Sequence, residues 1–170
     1  MINKARRITV GLRDVLNSLN KDGKEITRFE SNEVINRPVE EVFTFVAEGD
    51  NASSWDTKIL EIKKLSEGIT RKGTKYWMMR TFPQGRAENT FEIIEYEPNK
   101  TVSIKVTSGP NPYIYHYGFE SVGAGCATDR GTLLSLTAEV EVKGFFNAFR
   151  TVLWVEESLN KVRELLEEGS

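Results

Sequence analysis

Between residues 58 and 142 the hydrophobic residues recur with a period of two. From about residue 145 the period changes to 3.6 and holds almost to the end of the chain. This succession constrains the fold more than any single residue does. Strand-length segments are expected near 58–66, 73–83, 86–96, 101–108, 112–121 and 131–142, separated by "EGITRKG", "PQG", "EPNK", "GPNP" and "SVGAGCATDRG". The last segment alternates most cleanly. Leu134, Leu136, Ala138, Val140 and Val142 share one face, and Ser135, Thr137, Glu139 and Glu141 share the other. One dry face and one wet face mark an antiparallel sheet.

Before these strands, "RFESNEVIN" alternates well enough for one more strand, through Phe29, Ser31, Glu33 and Ile35. "RPVEEVFTFVAEGDNASSW" then reads as a helix. Pro38 suits its first turn, Glu40 and Glu41 favour its positive N-terminal end, Val42, Phe43 and Val46 form its stripe, and Gly49 ends it. After Gly144 a helix is expected over 145–168, with Phe145, Ala148, Val152, Val155, Leu159, Val162 and Leu166 as its apolar face. On that reading Glu156 and Arg163 fall within the stripe, and Trp154 lies about 200° from Val152 on the opposite side. An exposed Trp154 would then call for a cover. Strand, helix, six strands and long helix make an α+β domain whose economical solution is a curved antiparallel sheet around the C-terminal helix. The domain is expected over 29–170, preceded by an extension over 1–28. In that extension Ile8, Leu12, Val15, Leu16 and Leu19 line one helical face, which would cover Trp154 or form a homodimer contact.

The chain has 170 residues and a net charge of −2. Residues 1–28 hold seven Lys/Arg against three Asp/Glu, and the remainder sixteen against twenty-two. An acidic body is a poor match for nucleic acid, where affinity depends on many phosphate contacts. No apolar run approaches the roughly 20 residues of a membrane span, so no stable membrane insertion is expected. The basic start, "MINKARRITVGL", has no secretory apolar region after it, and a cytoplasmic protein is the simplest expectation. One cysteine, Cys126, excludes an internal disulfide, and one histidine argues against zinc, so no metal or other cofactor is expected.

That histidine lies in "GPNPYIYHYGF". Alternation puts Tyr113, Tyr115, Tyr117 and Phe119 on one face and Ile114, His116 and Gly118 on the other. Four large aromatics belong with the apolar volume, which sends His116 outward. A Ser/His/Asp or Cys/His mechanism needs its base within about 3 Å of the nucleophile, and no second histidine is present.

The segments "INRPVEEVFTFVAEGDNASSWD", "LSEGITRKGTKY", "FEIIEYEPNKTVSI", "YHYGFE" and "RGTLLSLTAEVE", in that order and spacing, resemble the START-like or SRPBCC superfamily, and within it the polyketide cyclase/dehydrase-like group. The resemblance runs from about residue 30 to residue 168. It implies a helix-grip fold enclosing a deep, mostly apolar cavity. Members include aromatic polyketide cyclases, lipid and sterol carriers, quinone-binding proteins and plant hormone-binding proteins, so the fold alone does not name the function. The chain lacks the second aromatic that often precedes the Trp55–Asp56 pair, and lacks the Tyr-x-x-Phe and Pro-x-Cys motifs of the quinone-binding branch.

The resemblance also turns Tyr76, Met78 and Arg80 inward and places Trp55 near a rim, with the loop "SGPNPY" at another. Ligand-binding candidates are therefore Trp55, Tyr76, Met78, Arg80, Tyr113, Tyr115, Tyr117 and Phe119, joined by Phe149, Val152 and Glu156 of the long helix. Arg80 either clamps a ligand carboxylate or phenolate or snorkels out from its strand end. Glu156 either sits under the ligand with a raised pKa or reaches solvent at the stripe's edge. Three functions follow. The first is binding of a hydrophobic, aromatic or polyketide/lipid-like molecule. The second is a cofactor-independent cyclase, aromatase or dehydratase, with Arg80 and Glu156 as catalytic candidates. The third is a peripheral membrane or partner contact made by residues 1–28.

Overall fold

The computed structural model describes residues 25–110, 112–123, 130–142 and 145–169. The amphipathic segment 8–19 and Cys126 lie outside the described residues. Seven strands form one antiparallel sheet: β1 (Glu25–Ile35), β2 (Ile59–Lys64), β3 (Lys75–Phe82), β4 (Gly85–Glu97), β5 (Thr101–Ser108), β6 (Tyr113–Val122) and β7 (Gly131–Val142). Their order across the sheet is β1-β7-β6-β5-β4-β3-β2, so the first two strands form its edges and the last pairs with the first. β1 opens before the boundary expected at 28, because Glu25–Arg28 have Val142–Glu139 to pair with.

The period-two pattern has become a two-faced sheet. On β7, Leu134, Leu136, Ala138 and Val140 are buried while Ser135, Thr137 and Glu139 are partly exposed. Each fully buried large apolar side chain contributes about 1.5–3 kcal/mol relative to exposure, so a one-residue slip in register would be costly. Register shifts between Ile59 and Glu61 on β2, and between Thr90/Phe91 and Ile93/Glu95 on β4, bend the sheet. The result is a concave inner face.

Three helices close that face. α1 (Val39–Ala47) buries Val42, Phe43, Val46 and Ala47, and Phe43 packs edge-on against Phe119 at 5.1 Å. After a short 3-10 turn, α2 (Ala52–Trp55) buries Ala52 and Trp55. α3 (Phe145–Glu168) runs along the grip. Its buried arc is Trp154, Val155, Ser158, Leu159 and Val162. At 100° per residue that arc centres about 80° from Val152, which is only half-buried. The sequence stripe was anchored one side too far, with two consequences. Trp154, expected outside, is buried against the sheet, and Glu156 stands roughly 120° from the arc's centre. At the far end of α3 Arg163 pairs with Glu33 of β1 at 2.6 Å, and Arg37 Nε donates to the Leu166 carbonyl at 2.7 Å. This architecture is the helix-grip fold.

Candidate functional site

The inner face of β3 carries Tyr76, Met78 and Arg80, all buried. That of β6 carries Tyr113, Tyr115, Tyr117 and Phe119, also buried. These side chains pack against one another and against the helices. Tyr76 stacks on Phe91 at 5.0 Å and meets Thr70 Oγ1 through its hydroxyl at 3.0 Å. Tyr117 packs edge-on against Trp55 at 6.3 Å. Trp55 is thus part of the core rather than a rim, because the short α2 turns its ring under the sheet.

A cleft lies at one end, between the first turns of α3, the β3–β4 turn and the start of β6. Its volume is about 580 Å³, within the range typical of small-molecule sites. Tyr113, Tyr115 and Trp154 form its aromatic wall, Phe82, Pro83 and Pro112 its rim, and Lys58, Arg80, Arg150 and Glu141 its charged groups. The cleft is therefore more polar than an apolar cavity would be. Of the residues expected from sequence, the structure brings together Arg80, Tyr113 and Tyr115 here. Trp55, Tyr76, Met78, Tyr117, Phe119, Val152 and Glu156 do not line the cleft, and the side chain of Phe149 lies outside the described residues.

At the cleft floor Arg80 is only 4% exposed. Its Nη2 lies 3.0 Å from Asp56 Oδ2, and its Nη1 donates to the Tyr113 hydroxyl at 2.5 Å. Asp56 is equally buried and fully used. Its Oδ1 accepts from Trp154 Nε1 at 2.9 Å and from the Lys58 amide at 3.0 Å. A buried charge pair is tolerable only when such hydrogen bonds offset its desolvation. Of the three guanidinium nitrogens, Nε alone has no hydrogen-bond partner. The Arg80 guanidinium carbon also lies 5.2 Å from the centre of the Trp154 ring and 5.4 Å from that of Tyr113, within cation–π range. Arg80 neither snorkels outward nor presents a free fork of donors.

The rings are ordered by mutual packing. Tyr113 and Tyr115 stack at 4.2 Å, and Tyr115 meets Trp154 at 5.5 Å. Burial pushes the hydroxyls of Tyr113, Tyr115 and Tyr117 above the ordinary phenol pKa, with Arg80 pulling the other way. They are consequently neutral donors at physiological pH and not phenolates. Burial works to lower the pKa of Arg80, but Tyr113 and then Asp56 hold it above the ordinary value. Because phenols are neutral near pH 7, Asp56 is the partner that matters there. Lys58, whose Nζ sits 4.9 Å from the Trp154 ring centre, has a lowered pKa, first from burial and next from repulsion by Arg80.

Asn89 positions the rim. It is fully buried on β4, and its Nδ2 donates to the carbonyls of Ser108 at 3.0 Å and Pro110 at 3.1 Å. These bonds hold the turn that delivers Pro112 to the cleft. Gly109 in that turn has φ +94°, and a Cβ there would lie 2.3 Å from the Glu88 carbonyl oxygen. Only glycine fits.

His116 points to the convex face, where Ser103 Oγ lies 2.9 Å from its Nδ1 and 2.7 Å from Glu95 Oε2. Ser103 is buried among strands, which leaves no approach for a substrate. Among the described residues no group of three His, Cys, Asp or Glu side chains gathers as metal ligands, and no helix is long and apolar enough to cross a membrane.

Asp56, Lys58, Arg150 and Trp154 were not foreseen. For Trp154 the apolar residues give no direct signal: it lies about 80° beyond Val162 on the helical wheel, and the buried Ser158 stands between them. Asp56 carried the signal of an acid adjacent to a buried tryptophan.

Among solved structures, DR_A0006 from Deinococcus radiodurans is 14% identical with a TM-score of 0.64, covering 85% of this chain and 100% of that one. TTHA0849 from Thermus thermophilus is 14% identical with a TM-score of 0.67, covering 84% and 99%. Ara h 8.0201 is 13% identical with a TM-score of 0.64, also covering 84% and 99%. Such identities speak for the fold alone. No curated protein matches the chain by sequence. A family model described as polyketide cyclase / dehydrase and lipid transport matches residues 27–167, nearly the whole described domain, and the chain belongs to that family.

Proposed function

We propose that the protein binds a hydrophobic small molecule with an aromatic, polyketide-like or lipid-like frame, and that the end cleft receives it. The observation that carries this reading is the wall of Tyr113, Tyr115 and Trp154 bordering about 580 Å³ of open volume. Flat rings gain stacking energy there beyond the area they bury. Polar groups at the floor are fixed in advance by the Asp56–Arg80–Tyr113 chain, which favours recognition without reorganisation.

A cyclase or dehydratase would need a proton acceptor at the cleft. Asp56 spends its oxygens on Arg80, Trp154 and the Lys58 amide. Glu156 does not border the cleft, and Glu141 is the carboxylate that does among the described residues. Buried neutral tyrosines beside Arg80 can donate to an enolate, so this second reading has an electrophilic half, and among the described residues Glu141 is its one carboxylate candidate for a base.

Native mass spectrometry of gently purified protein, beside a solvent-extracted and refolded sample, tests the binding reading. The expected result is a discrete added mass that extraction removes, or its recovery on adding a ring-bearing ligand, with quenching of Trp154 fluorescence. A bare polypeptide mass throughout, with no fluorescence response to any ring-bearing or lipid-like compound, would refute it.

A further inference from the structure

We infer that the cleft selects ligands bearing an anionic group of the carboxylate, sulfonate or phenolate kind, and that Lys58 and Arg150, not Arg80, hold that group. This deepens the binding reading above and rests on it.

Three cations line the cleft, Lys58, Arg80 and Arg150, against the single carboxylate of Glu141 among the described lining residues. Arg80 is already neutralised by Asp56 at 3.0 Å, and both of its Nη groups are engaged. The other two differ. Among the described residues no salt bridge joins Lys58 or Arg150 to a carboxylate, although both border the same 580 Å³. Lys58 is half-buried and Arg150 is exposed at the mouth. The Lys58 ammonium feels its surroundings as a cost. Its pKa falls through burial first and then through Arg80, with Arg150 adding to the repulsion, while Asp56 and Glu157 offset only part. An anion between Lys58 and Arg150 would relieve this crowding.

The geometry connects the two charges to the aromatic wall. Lys58 Nζ sits over the Trp154 ring at 4.9 Å. Arg150 is four residues before Trp154 on α3, one turn away on the same side of the helix. A ring laid along Tyr113, Tyr115 and Trp154 therefore brings a substituent on its outer edge to both cations. At a separation of about 4 Å, each such contact is worth far more in a partly desolvated cleft than in bulk water.

Two dyes with one frame test this: 1-anilinonaphthalene-8-sulfonate, an anion, and N-phenyl-1-naphthylamine, its neutral counterpart. Fluorescence titration of the full chain is expected to give at least about tenfold tighter binding of the anion. Roughly 1 M salt, where the screening length is about 3 Å, should remove most of that preference. Lys58→Gln combined with Arg150→Gln should bring the two dyes to within about twofold by weakening only the anion, and Lys58→Arg should retain the preference. Equal affinity for both dyes in the unaltered protein, or a preference that survives the double substitution, overturns this inference and leaves hydrophobic binding intact. Binding of neither dye overturns this inference, and the binding reading falls with it only where the native mass also stays bare and no other ring-bearing or lipid-like compound responds.

Discussion

The Asp56–Arg80 pair supports the cleft, and Asp56→Asn isolates its charge. Asparagine has nearly the same shape and keeps a carbonyl oxygen for Trp154 Nε1, so the loss is chiefly the counter-charge 3.0 Å from Arg80 Nη2. Arg80 cannot escape by deprotonating, as a buried lysine can, because its pKa lies far above any working pH. It cannot swing to solvent either, since Tyr113 and Trp154 flank it. One-sided removal of a buried charge partner costs about 3–5 kcal/mol. For a domain of this size each kcal/mol moves Tm by about 2–4 °C, which gives a drop of roughly 6–20 °C.

A second substitution separates charge from packing. Arg80→Met on top of Asp56→Asn removes the unpaired charge together with the Nε–H donor that has no partner in the folded protein. An unsatisfied buried donor costs about 1–3 kcal/mol. The double variant should therefore be more stable than Asp56→Asn alone, by about 2 kcal/mol, despite carrying one more alteration in the core. Urea unfolding followed by circular dichroism measures both, and an unchanged m-value certifies that the folded states are comparable. A loss below about 1 kcal/mol for Asp56→Asn, or a double variant less stable than the single, would refute the view that this buried charge pair is what holds the cleft floor.

Raised phenol pKa values predict an alkaline limit. Folding favours the neutral form of Tyr113, Tyr115 and Tyr117, so their contribution is complete below the ordinary pKa of 10.0 and is lost as pH climbs above it. Each adds a slope of up to about 1.4 kcal/mol per pH unit. Absorbance at the phenolate band should show these tyrosines ionising together with global unfolding, and non-cooperative ionisation near pH 10 would contradict their burial. Gly109→Ala forces a Cβ to 2.3 Å from the Glu88 carbonyl and a strained φ. A loss of about 2–3 kcal/mol in urea titration is expected, and a neutral result would mean that the turn is built differently. His116→Gln alters only the convex face, so calorimetric ligand affinity should stay within about twofold and stability within about 1 kcal/mol; a tenfold loss of binding would place the histidine in the function after all.

The fold was legible because its signals are local. Alternation on β6 and β7 depends on nothing beyond a few neighbours, and it placed Tyr113, Tyr115 and Tyr117 inward and His116 outward, as observed. The long helix was equally legible in extent but not in rotation. Its wheel carries apolar residues over a wide arc, and Val152 at one margin outweighed Val155, Leu159 and Val162 at the centre. Once the wheel turns, Trp154 moves from surface to core and Glu156 away from the cleft.

What the sequence conceals is pairing across distance. Asp56, Arg80 and Trp154 are separated by 24 and 98 residues along the chain, and no periodicity relates an acid after a four-residue helix to a guanidinium near the end of β3. Their meeting is set by how β3 and α3 register against one another, which is a property of the closed grip. That same closure decides which cation serves a ligand. Arg80 drew attention in the sequence because it interrupts an apolar face, yet its inward position is what recruits Asp56 and consumes its donors. Lys58 and Arg150, unremarkable in a chain with 23 Lys/Arg, acquire their meaning only because Trp154 rotates inward between them. A charge is available for recognition where the fold leaves it beside an aromatic wall with no salt bridge among the described residues, and Lys58 and Arg150 stand so at the cleft while Arg80 at its floor does not.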